Sequence, residues 1–548
     1  MQPEISKPDV IIVGSGAGGA TAARILTQRG FSVTIFEKGP NPQAEDFLPY
    51  DELHFEGHEK MTPLEATDPN IYVRGGRTQT VRQWWVANMV GGATRLWDAN
   101  FPRYTREDMS LKTLMGDRVP NGASVVDWPW TYDEFQPFFE IAEREWGVSG
   151  RARQSRMQEP YRSGYDFPMP PVRAHASTPF LKDLFNRAGW YPYLGAKAVN
   201  SRTYDGRPGY AFSGFFAGFG DPLNDRASAH STMLPKAMAT GRCELHVGRC
   251  VTRIVQENGK IKGVQYKTAP DAEEQFLGAP LVIVSVQAIQ SARLFLLSEI
   301  PDPNKMIGRY LTYHTKGTVT ARFRYESVWD GGIDGPYQPR TGIGSLEIRD
   351  LYWINDPNTN LTKGGKFAAF DPYTTSTPIE MVSRLRKWGQ PLIDELDRMR
   401  TQAGAGFSFT GESLSVYDNR VELDPDVTDP WGLPVARTYY EHHDYDLELS
   451  QYAVRRMAEV LADGGGEITA QFPQGKYNSG YGHNHGTLRA GRDPGTAVLN
   501  ADCQSHEVSG LYVLDCAFMP TSGASNPTLT LLANAYRVCQ SIPKPEVI

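Results

Sequence analysis

Cysteine is scarce in this chain, with 5 residues among 548, and no two of them form a C-x-x-C pair. Cysteines scattered in this way predict free thiols in a reducing cytoplasm, not a disulfide framework or a structural zinc site. Long apolar runs are also missing, which argues against a membrane-spanning helix. The first residues, from Met1 to Pro8, lack the apolar centre of a signal peptide. We therefore expect a cytoplasmic protein.

An excess of positive charge is absent as well. The chain has 56 basic and 63 acidic residues and a formal net charge of −7, which argues against a general nucleic-acid or anionic-membrane surface. The G-x-S-x-G elbow of serine hydrolases does not occur. No metal site is predicted: His442 and His443 are adjacent and would point apart on a strand, and His483 and His485 have no evident third ligand.

What the chain does contain is a glycine-rich turn between a strand and a helix. Val10–Val13 is a continuous apolar run, typical of a buried parallel strand. Gly14, Gly16 and Gly19 then form a G-x-G-x-x-G pattern, and Glu37 at the end of the next predicted strand suits a ribose hydroxyl pair. The glycines allow a tight bend, a close approach to a pyrophosphate and close helix packing. The pattern predicts a dinucleotide site, without separating NAD from FAD.

Periodicity predicts the other elements, and 548 residues exceed what one core usually supports, so at least two domains are expected. Strands are expected over Cys243–Val255, Gly263–Lys267, Leu281–Val286, Thr318–Tyr325, Gly342–Ile348, Leu414–Leu423, Ala436–Tyr440 and Leu511–Leu514. Helices are expected over Ala20–Arg29, Ser177–Ala188, Ala288–Leu297, Ile379–Arg400, Tyr445–Ala462 and Thr528–Gln540. Residues 41–80 are expected to form a surface loop. Thr131 and Glu134 have capping-box spacing, and Pro137 is expected to forbid one unbroken helix, so that a helix begins near it.

Two short C-terminal segments carry residues suited to alcohol oxidation. His483 lies in a Gly-His-Asn-His-Gly-Thr segment, and Asn526 lies in a Ser-Asn-Pro-Thr segment. Oxidising an alcohol requires a base for the hydroxyl proton and an acceptor for the hydride. Imidazole has a pKa near neutrality and can take that proton, while an amide can hold the same hydroxyl. These residues favour a flavin with a nearby histidine base.

With these motifs the chain resembles a glucose–methanol–choline (GMC) oxidoreductase over nearly its whole length. The resemblance implies that His483 is the catalytic histidine, that Asn526 is its partner, that Asp515 contacts the ribityl–phosphate region of the flavin, and that Val251 meets the adenine. It implies the cofactor-binding set Gly14, Gly16, Glu37, Gly19, Gly91, Gly92, Thr94, Val251, Asp515, Asn526 and Thr528. His485 and Arg95 are weaker candidates for substrate contact. His314 ends a family segment that is mostly structural.

The implied fold is α/β, with a Rossmann-like FAD-binding domain and a second α+β substrate-binding domain built on an antiparallel sheet. The expected FAD-binding domain comprises residues 1–50, 80–105, 225–312 and 478–548. The expected substrate domain and lid loops comprise residues 51–79, 106–224 and 313–477. Leu96 occupies the position of the flavin-linking histidine of some pyranose oxidases, so non-covalent FAD is expected. Gln287 replaces a usual glycine, and aromatic residues such as Trp84 and Trp85 can stack on a sugar.

Asn200–Pro208 and Trp128–Tyr132 are similar to bacterial sugar dehydrogenases, gluconate dehydrogenases and glycoside 3-oxidases. The resemblance therefore implies oxidation of a sugar or glycoside alcohol to a keto-sugar, by His483-assisted hydride transfer to flavin N5, with O₂ or a quinone-type acceptor reoxidising the flavin. Gly209–Asp221 lacks the cysteine cluster of some relatives, which argues against a disulfide-braced complex with a cytochrome. The alternatives are an aminocyclitol or aminoglycoside substrate, a lyase that uses FAD without redox turnover, and a non-catalytic binding subunit.

Overall fold

The computed structural model describes residues 7–47, 69–81, 86–175, 177–211, 220–328, 344–370, 388–477 and 482–544. Trp84 and Trp85 lie outside these residues. The strands are β1 Val10–Val13, β2 Val33–Glu37, β3 Ile71–Arg74, β4 Arg77–Thr80, β5 Tyr193–Leu194, β6 Cys243–Val247, β7 Cys250–Glu257, β8 Lys260–Lys267, β9 Gln275–Gly278, β10 Leu281–Val284, β11 Thr315–Arg324, β12 Leu346–Ile348, β13 Gly365–Phe370, β14 Gln402–Gly411, β15 Arg420–Thr428, β16 Pro434–Tyr439, β17 Glu467–Pro473 and β18 Leu511–Val513.

The α-helices are α1 Ala17–Gln28, α2 Arg106–Met109, α3 Leu111–Met115, α4 Tyr132–Trp146, α5 Thr178–Arg187, α6 Met233–Met238, α7 Ala288–Leu297, α8 Tyr325–Val328, α9 Gln390–Thr401, α10 Asp444–Asp463 and α11 Thr528–Ser541. Short 3₁₀ helices span Ala44–Phe47, Gly92–Arg95, Gly116–Arg118 and Cys516–Phe518. None of these described helices combines the length and the apolar character that crossing a membrane requires.

A five-stranded sheet forms the centre of the nucleotide-binding part, with the order β18-β10-β1-β2-β6. All of its neighbouring strands pair in parallel, with Ile12 opposite both Ile35 and Ile283. The apolar runs of β1 and β10 are buried throughout, as parallel strands covered on both faces require. The predicted Rossmann-like unit is therefore confirmed. Helix α1 begins at Ala17, three residues earlier than expected.

The second large sheet is antiparallel and six-stranded, with the order β17-β11-β14-β13-β12-β5. One face packs on α10: Val319, Phe407 and Phe409 share a buried cluster with Leu449 and Met457. Because side chains alternate along a strand, the residues between these apolar positions point to the opposite face. The expected antiparallel sheet is confirmed, and its second face is free to cover the nucleotide-binding part.

Several strand boundaries differ from the expectation. The interval Leu414–Leu423 was expected to be one strand, but the structure has β14 before it, ending at Gly411, and β15 beginning at Arg420. Strand β14 reads Gln-Ala-Gly-Ala-Gly-Phe-Ser-Phe-Thr-Gly, and its small residues hide the alternation that marks a strand. The described part of the 41–80 interval is also not all loop, because β3 and β4 form a hairpin that pairs in parallel with β16.

Helix α4 runs without a break from Tyr132 to Trp146 and contains Pro137, so the expected start near that proline is wrong. The capping box is present, with Thr131 N donating to Glu134 Oε2 at 2.6 Å. Proline removes one intrahelical hydrogen bond. The apolar face offsets that loss, because Phe135, Phe139 and Trp146 are all fully buried.

Candidate functional site

A cavity of about 640 Å³ opens between the carboxyl ends of the parallel strands and the antiparallel sheet. Its walls include Val13 at the end of β1, Ser285 just after β10 and Asp515 just after β18. Ligands of open α/β sheets bind at this edge, outside the carboxyl ends of the strands. Lys316 and Ser408 line it from the antiparallel sheet. A volume in this range suits a bound cofactor and substrate.

The glycine turn closes one end of the cavity. Gly14 adopts a φ of +95°, and a Cβ there would stand 2.3 Å from the Ser285 carbonyl oxygen. A Cβ on Gly19 would stand 2.1 Å from the Gly14 carbonyl oxygen. Gly16 is different: an added Cβ would meet no described atom within 4 Å, and the residue caps α1 and lines the cavity. The empty space at Gly16, over the N–H groups of a helix N-terminus, fits a dinucleotide pyrophosphate.

Glu37 also lines the cavity, where the sequence predicts a ribose contact. Its carboxylate accepts hydrogen bonds from Ser15 N at 3.1 Å, Ser15 Oγ at 2.6 Å and Gly39 N at 2.9 Å. Burial raises the pKa of Glu37, and these bonds act in the opposite direction. The same carboxylate therefore fixes the shape of the glycine turn.

Asp515 joins the end of β18 to the start of α7. It accepts from the backbone N–H groups of Val286 at 3.0 Å, Gln287 at 3.1 Å and Ala517 at 2.8 Å, and from the Ser291 hydroxyl. Gln287 has a φ of +80°, a strained value for a residue with a Cβ. Its side-chain oxygen caps α7 by accepting from Ile289 N and Gln290 N. The replacement of the family glycine is thus accommodated by a new helix cap.

The structure brings most predicted cofactor residues to this cavity. Its lining includes Gly14, Gly16, Glu37, Gly92, Thr94, Val251, Asp515, Asn526 and Thr528. Gly19 and Gly91 do not line it; Gly91 N instead donates to Ser15 Oγ at 3.1 Å. The two weaker candidates for substrate contact, Arg95 and His485, are not among the lining residues. Arg95 turns away to donate to the Pro42 carbonyl at 2.7 Å, and the buried His485 pairs through its backbone with Thr312.

His483 and Asn526 line the same cavity, and Asn526 Nδ2 lies 3.5 Å from His483 Nε2. The second ring nitrogen of His483, Nδ1, lies 2.9 Å from Nδ1 of His314. Nε2 of His314 lies 3.0 Å from the Ser522 carbonyl oxygen. The two histidine rings meet edge to face, with centroids 5.0 Å apart.

These contacts determine the tautomer of each ring. A carbonyl only accepts, so His314 Nε2 carries a hydrogen and donates it to Ser522. Burial holds the pKa of His314 well below its usual range, so the ring is neutral and its Nδ1 accepts. His483 Nδ1 must then be the donor. Burial and nearby Lys316 also hold the pKa of His483 well below its usual range. His483 Nε2 therefore carries the lone pair, and the Asn526 amide nitrogen lies within hydrogen-bond distance of it.

Neighbouring segments hold this arrangement in place. The backbone of His485 bonds in both directions with Thr312, at 2.9 and 3.0 Å. On the other side, Ser522 Oγ donates to Glu412 Oε1 at 2.8 Å. Burial raises the pKa of Glu412 to about 8, so this carboxyl is largely protonated at neutral pH. His314 is thus fixed from both sides, through the backbone that leads into β11 and through the Ser522 carbonyl.

Two residues of this site have roles that the sequence did not predict. His314 contacts His483 directly, although the motif containing it suggested a structural part. Lys316 lines the cavity two residues further on. The alternating pattern of β11 could have indicated this position of Lys316, because every second side chain of that strand faces away from the core.

The other histidine pair has structural contacts. His442 is buried with its Nδ1 3.2 Å from Asp446 Oδ2, and His443 caps α10 by accepting from Tyr445 N at 3.1 Å. Among the described residues, no group of three or more His, Cys, Asp or Glu side chains is placed to hold a metal ion. Cys243, Cys503, Cys516 and Cys539 are free thiols.

The parallel sheet, glycine turn and cavity define a dinucleotide-binding oxidoreductase fold. The family description "GMC oxidoreductase" matches residues 171–316 with its N-terminal domain and residues 415–535 with its C-terminal domain. A Rossmann-like NAD(P)-binding description matches residues 12–46. The chain is therefore a GMC oxidoreductase, an FAD-dependent enzyme acting on CH–OH groups.

Curated relatives match nearly the whole chain. A 2-methyl-1,2-propanediol dehydrogenase of Mycolicibacterium austroafricanum is 28% identical and covers 98% of this chain and 95% of its own. A paromamine 6'-oxidase of Streptomyces fradiae is 26% identical, with 97% and 91% covered. A C-glycoside 3-oxidase of Microbacterium trichothecenolyticum is 24% identical, with 97% and 96% covered.

Among solved structures, a formate oxidase of Aspergillus oryzae superposes with a TM-score of 0.64 over 98% of each chain, at 15% identity. At this identity the likeness concerns the fold alone.

Proposed function

We propose that this enzyme oxidises a secondary alcohol of a sugar or glycoside to a keto-sugar, with His483 as the base. The observation that carries the proposal is the pairing of His483 Nε2, the acceptor nitrogen of a ring that lines the cavity, with the Asn526 amide nitrogen 3.5 Å away. The C-glycoside 3-oxidase relative supports the substrate class, since its name describes oxidation of a glycoside.

In this proposal His483, Asn526 and the cofactor-binding residues have separate roles. The substrate hydroxyl donates to His483 Nε2 and accepts from Asn526 Nδ2, which fixes the carbinol C–H in one direction. His483 takes the hydroxyl proton as the C–H hydride leaves. Bound FAD supplies the hydride acceptor, held by the glycine turn, Glu37 and the wall around Val251 and Thr528.

Changing His483 to Ala is expected to slow flavin reduction by sugar at least about 10²-fold, the usual contribution of a general base. The measurement is anaerobic stopped-flow bleaching of the flavin with a panel of sugars and glycosides. His442→Ala, away from the cavity, serves as a buried-histidine control. Near-normal bleaching in the His483 variant would remove this residue from its role, and a flavin that no substrate bleaches would point to a lyase.

A second candidate is oxidation of an aminocyclitol or aminoglycoside hydroxyl, which the paromamine 6'-oxidase relative favours. The same bleaching experiment with aminoglycosides separates the two candidates.

We further propose that O₂ or a quinone-type acceptor reoxidises the flavin. Admitting air after bleaching and measuring peroxide distinguishes the two acceptors.

The remaining proposals concern the whole chain. Leu96 is buried beside Phe47 and Met89 and has no nucleophilic atom, which supports non-covalent FAD. The free thiols of Cys243, Cys503, Cys516 and Cys539 support a cytoplasmic location. We retain the division into an FAD-binding domain of residues 1–50, 80–105, 225–312 and 478–548 and a substrate domain formed by the rest.

A further inference from the structure

The face of the antiparallel sheet that covers the cavity carries a cation and two hydroxyls. On β11, Lys316 and Thr318 line the cavity, while Val319 packs in the core on the other face. The strand register places Thr318 opposite Ser408 and Lys316 opposite Thr410. Because Ser408 also lines the cavity, these side chains form one polar patch above the region of His483. We call Lys316, Thr318 and Ser408 the roof patch.

The ammonium group of Lys316 is incompletely bonded. Its Nζ donates to Thr410 Oγ1 at 3.0 Å. An ammonium has three donors, and the other two meet no acceptor among the residues that the structure describes. The nearby buried lysines differ, since Lys366 Nζ lies 2.7 Å from Glu347 Oε1 and Lys363 Nζ lies 2.8 Å from Asp108 Oδ1. Lys316 is thus a cation of the cavity wall without a carboxylate partner in the described chain.

The surroundings of Lys316 disfavour its positive charge. Burial lowers the pKa of Lys316 to about 7, and the like charge of Lys366 acts in the same direction. His483, His314 and His485 are the other titratable groups close enough to feel Lys316, and all three are neutral. An anion in the cavity would accept from the free donors and restore the charged form.

We propose that the roof patch binds a carboxylate of the substrate, so that the preferred substrate is a sugar acid or an acidic glycoside such as a uronide. The inference rests on the proposed function and narrows its substrate class. The carboxylate is held and not altered, because the hydride and the proton both leave the neighbouring carbinol. A polycationic aminocyclitol would bring its charges against Lys316, which disfavours that alternative.

The test compares three matched ligands: methyl β-D-glucuronide, methyl β-D-glucoside and methyl β-D-glucosaminide. The concentration dependence of anaerobic flavin reduction gives an apparent Kd and a limiting rate for each. We expect the glucuronide to bind about 10- to 100-fold more tightly than the glucoside, as a charge-assisted hydrogen bond allows. The preference should weaken between pH 6 and pH 8.5, as Lys316 loses its proton.

Three variants isolate the charge. Lys316→Met is expected to remove the preference for the glucuronide and Lys316→Arg to keep it, while the exposed Lys112→Met leaves it unchanged. Equal affinities in the wild type, or a preference that survives in Lys316→Met, would overturn the inference while leaving the proposed function intact. If no sugar bleaches the flavin, the proposed function fails, and ligand-induced changes in flavin absorbance still measure binding at the roof patch.

Discussion

At the scale of single residues, the chemistry of the site depends on which nitrogen of His483 carries the hydrogen. The chain from the Ser522 carbonyl through His314 to His483 leaves only Nε2 free to accept a proton. His314 therefore orients the His483 ring and does not itself line the cavity. The same logic orients the base in other catalytic sites, where a third group fixes the imidazole tautomer.

Replacing His314 by Leu is expected to slow flavin reduction on the order of 10²-fold, because His483 loses the acceptor that fixes its tautomer. The substrate's apparent Kd should change little, since His314 makes no contact with the cavity. Stopped-flow reduction separates the two quantities. His314→Asn, which keeps an acceptor oxygen near the position of Nδ1, should recover part of the rate. Equal rates in the Leu and Asn variants would contradict the positioning role.

At the scale of elements, the β1–α1 turn separates residues that the fold needs from one that the cofactor needs. A side chain at Gly19 would collide with the Gly14 carbonyl, whereas Gly16 has free space. The three positions of this motif therefore require glycine for different physical reasons. In β11, alternation likewise separates core positions from the positions that line the cavity.

Gly16→Ala is expected to leave the apoprotein's Tm unchanged and to weaken FAD binding at least about 10-fold, because the methyl group occupies the pyrophosphate space. Gly19→Ala should lower the apoprotein's Tm or the soluble yield, because its methyl group meets backbone. Thermal unfolding and FAD titration of both apoproteins measure this contrast. Wild-type FAD affinity in Gly16→Ala would show that the space at Gly16 is not used by the cofactor.

At the scale of the whole molecule, the buried His314 and His485 and the half-buried His483 link stability to pH. Burial lowers the pKa of His314 and His483 well below the usual range and that of His485 to about 3. The unfolded chain binds their protons near pH 6.5, so it holds more protons than the folded chain below that pH. The free energy of unfolding therefore falls as the pH falls through this window.

The three histidines are accordingly expected to make the urea midpoint fall from about pH 6.5 downward. Each histidine contributes a slope of up to about 1.4 kcal/mol per pH unit. His485→Gln should reduce the slope by about one proton without touching the cavity. A midpoint that is independent of pH between 7.5 and 5, or a variant with the wild-type slope, would contradict this linkage.

The sequence alone determined the local features. The strand, glycine turn and helix at the N-terminus follow from short-range patterns, and so do α7, with its predicted bounds, and the capping box of α4. His483 and Asn526 could be named because each lies in a short motif. These features are readable because their causes, backbone geometry and helix or strand periodicity, act over a few residues.

Tertiary structure decided the rest, because the remaining contacts join distant parts of the chain. His314 and His483 are 169 residues apart, and the pairing of His485 with Thr312 helps to bring them together. The glycine-rich β14 has little pattern of its own and is defined by its neighbours β11 and β13. Pro137 stays within a helix because packing offsets its lost hydrogen bond. Thus the sequence names His483, and long-range packing selects the ring nitrogen of His483 that can accept a proton.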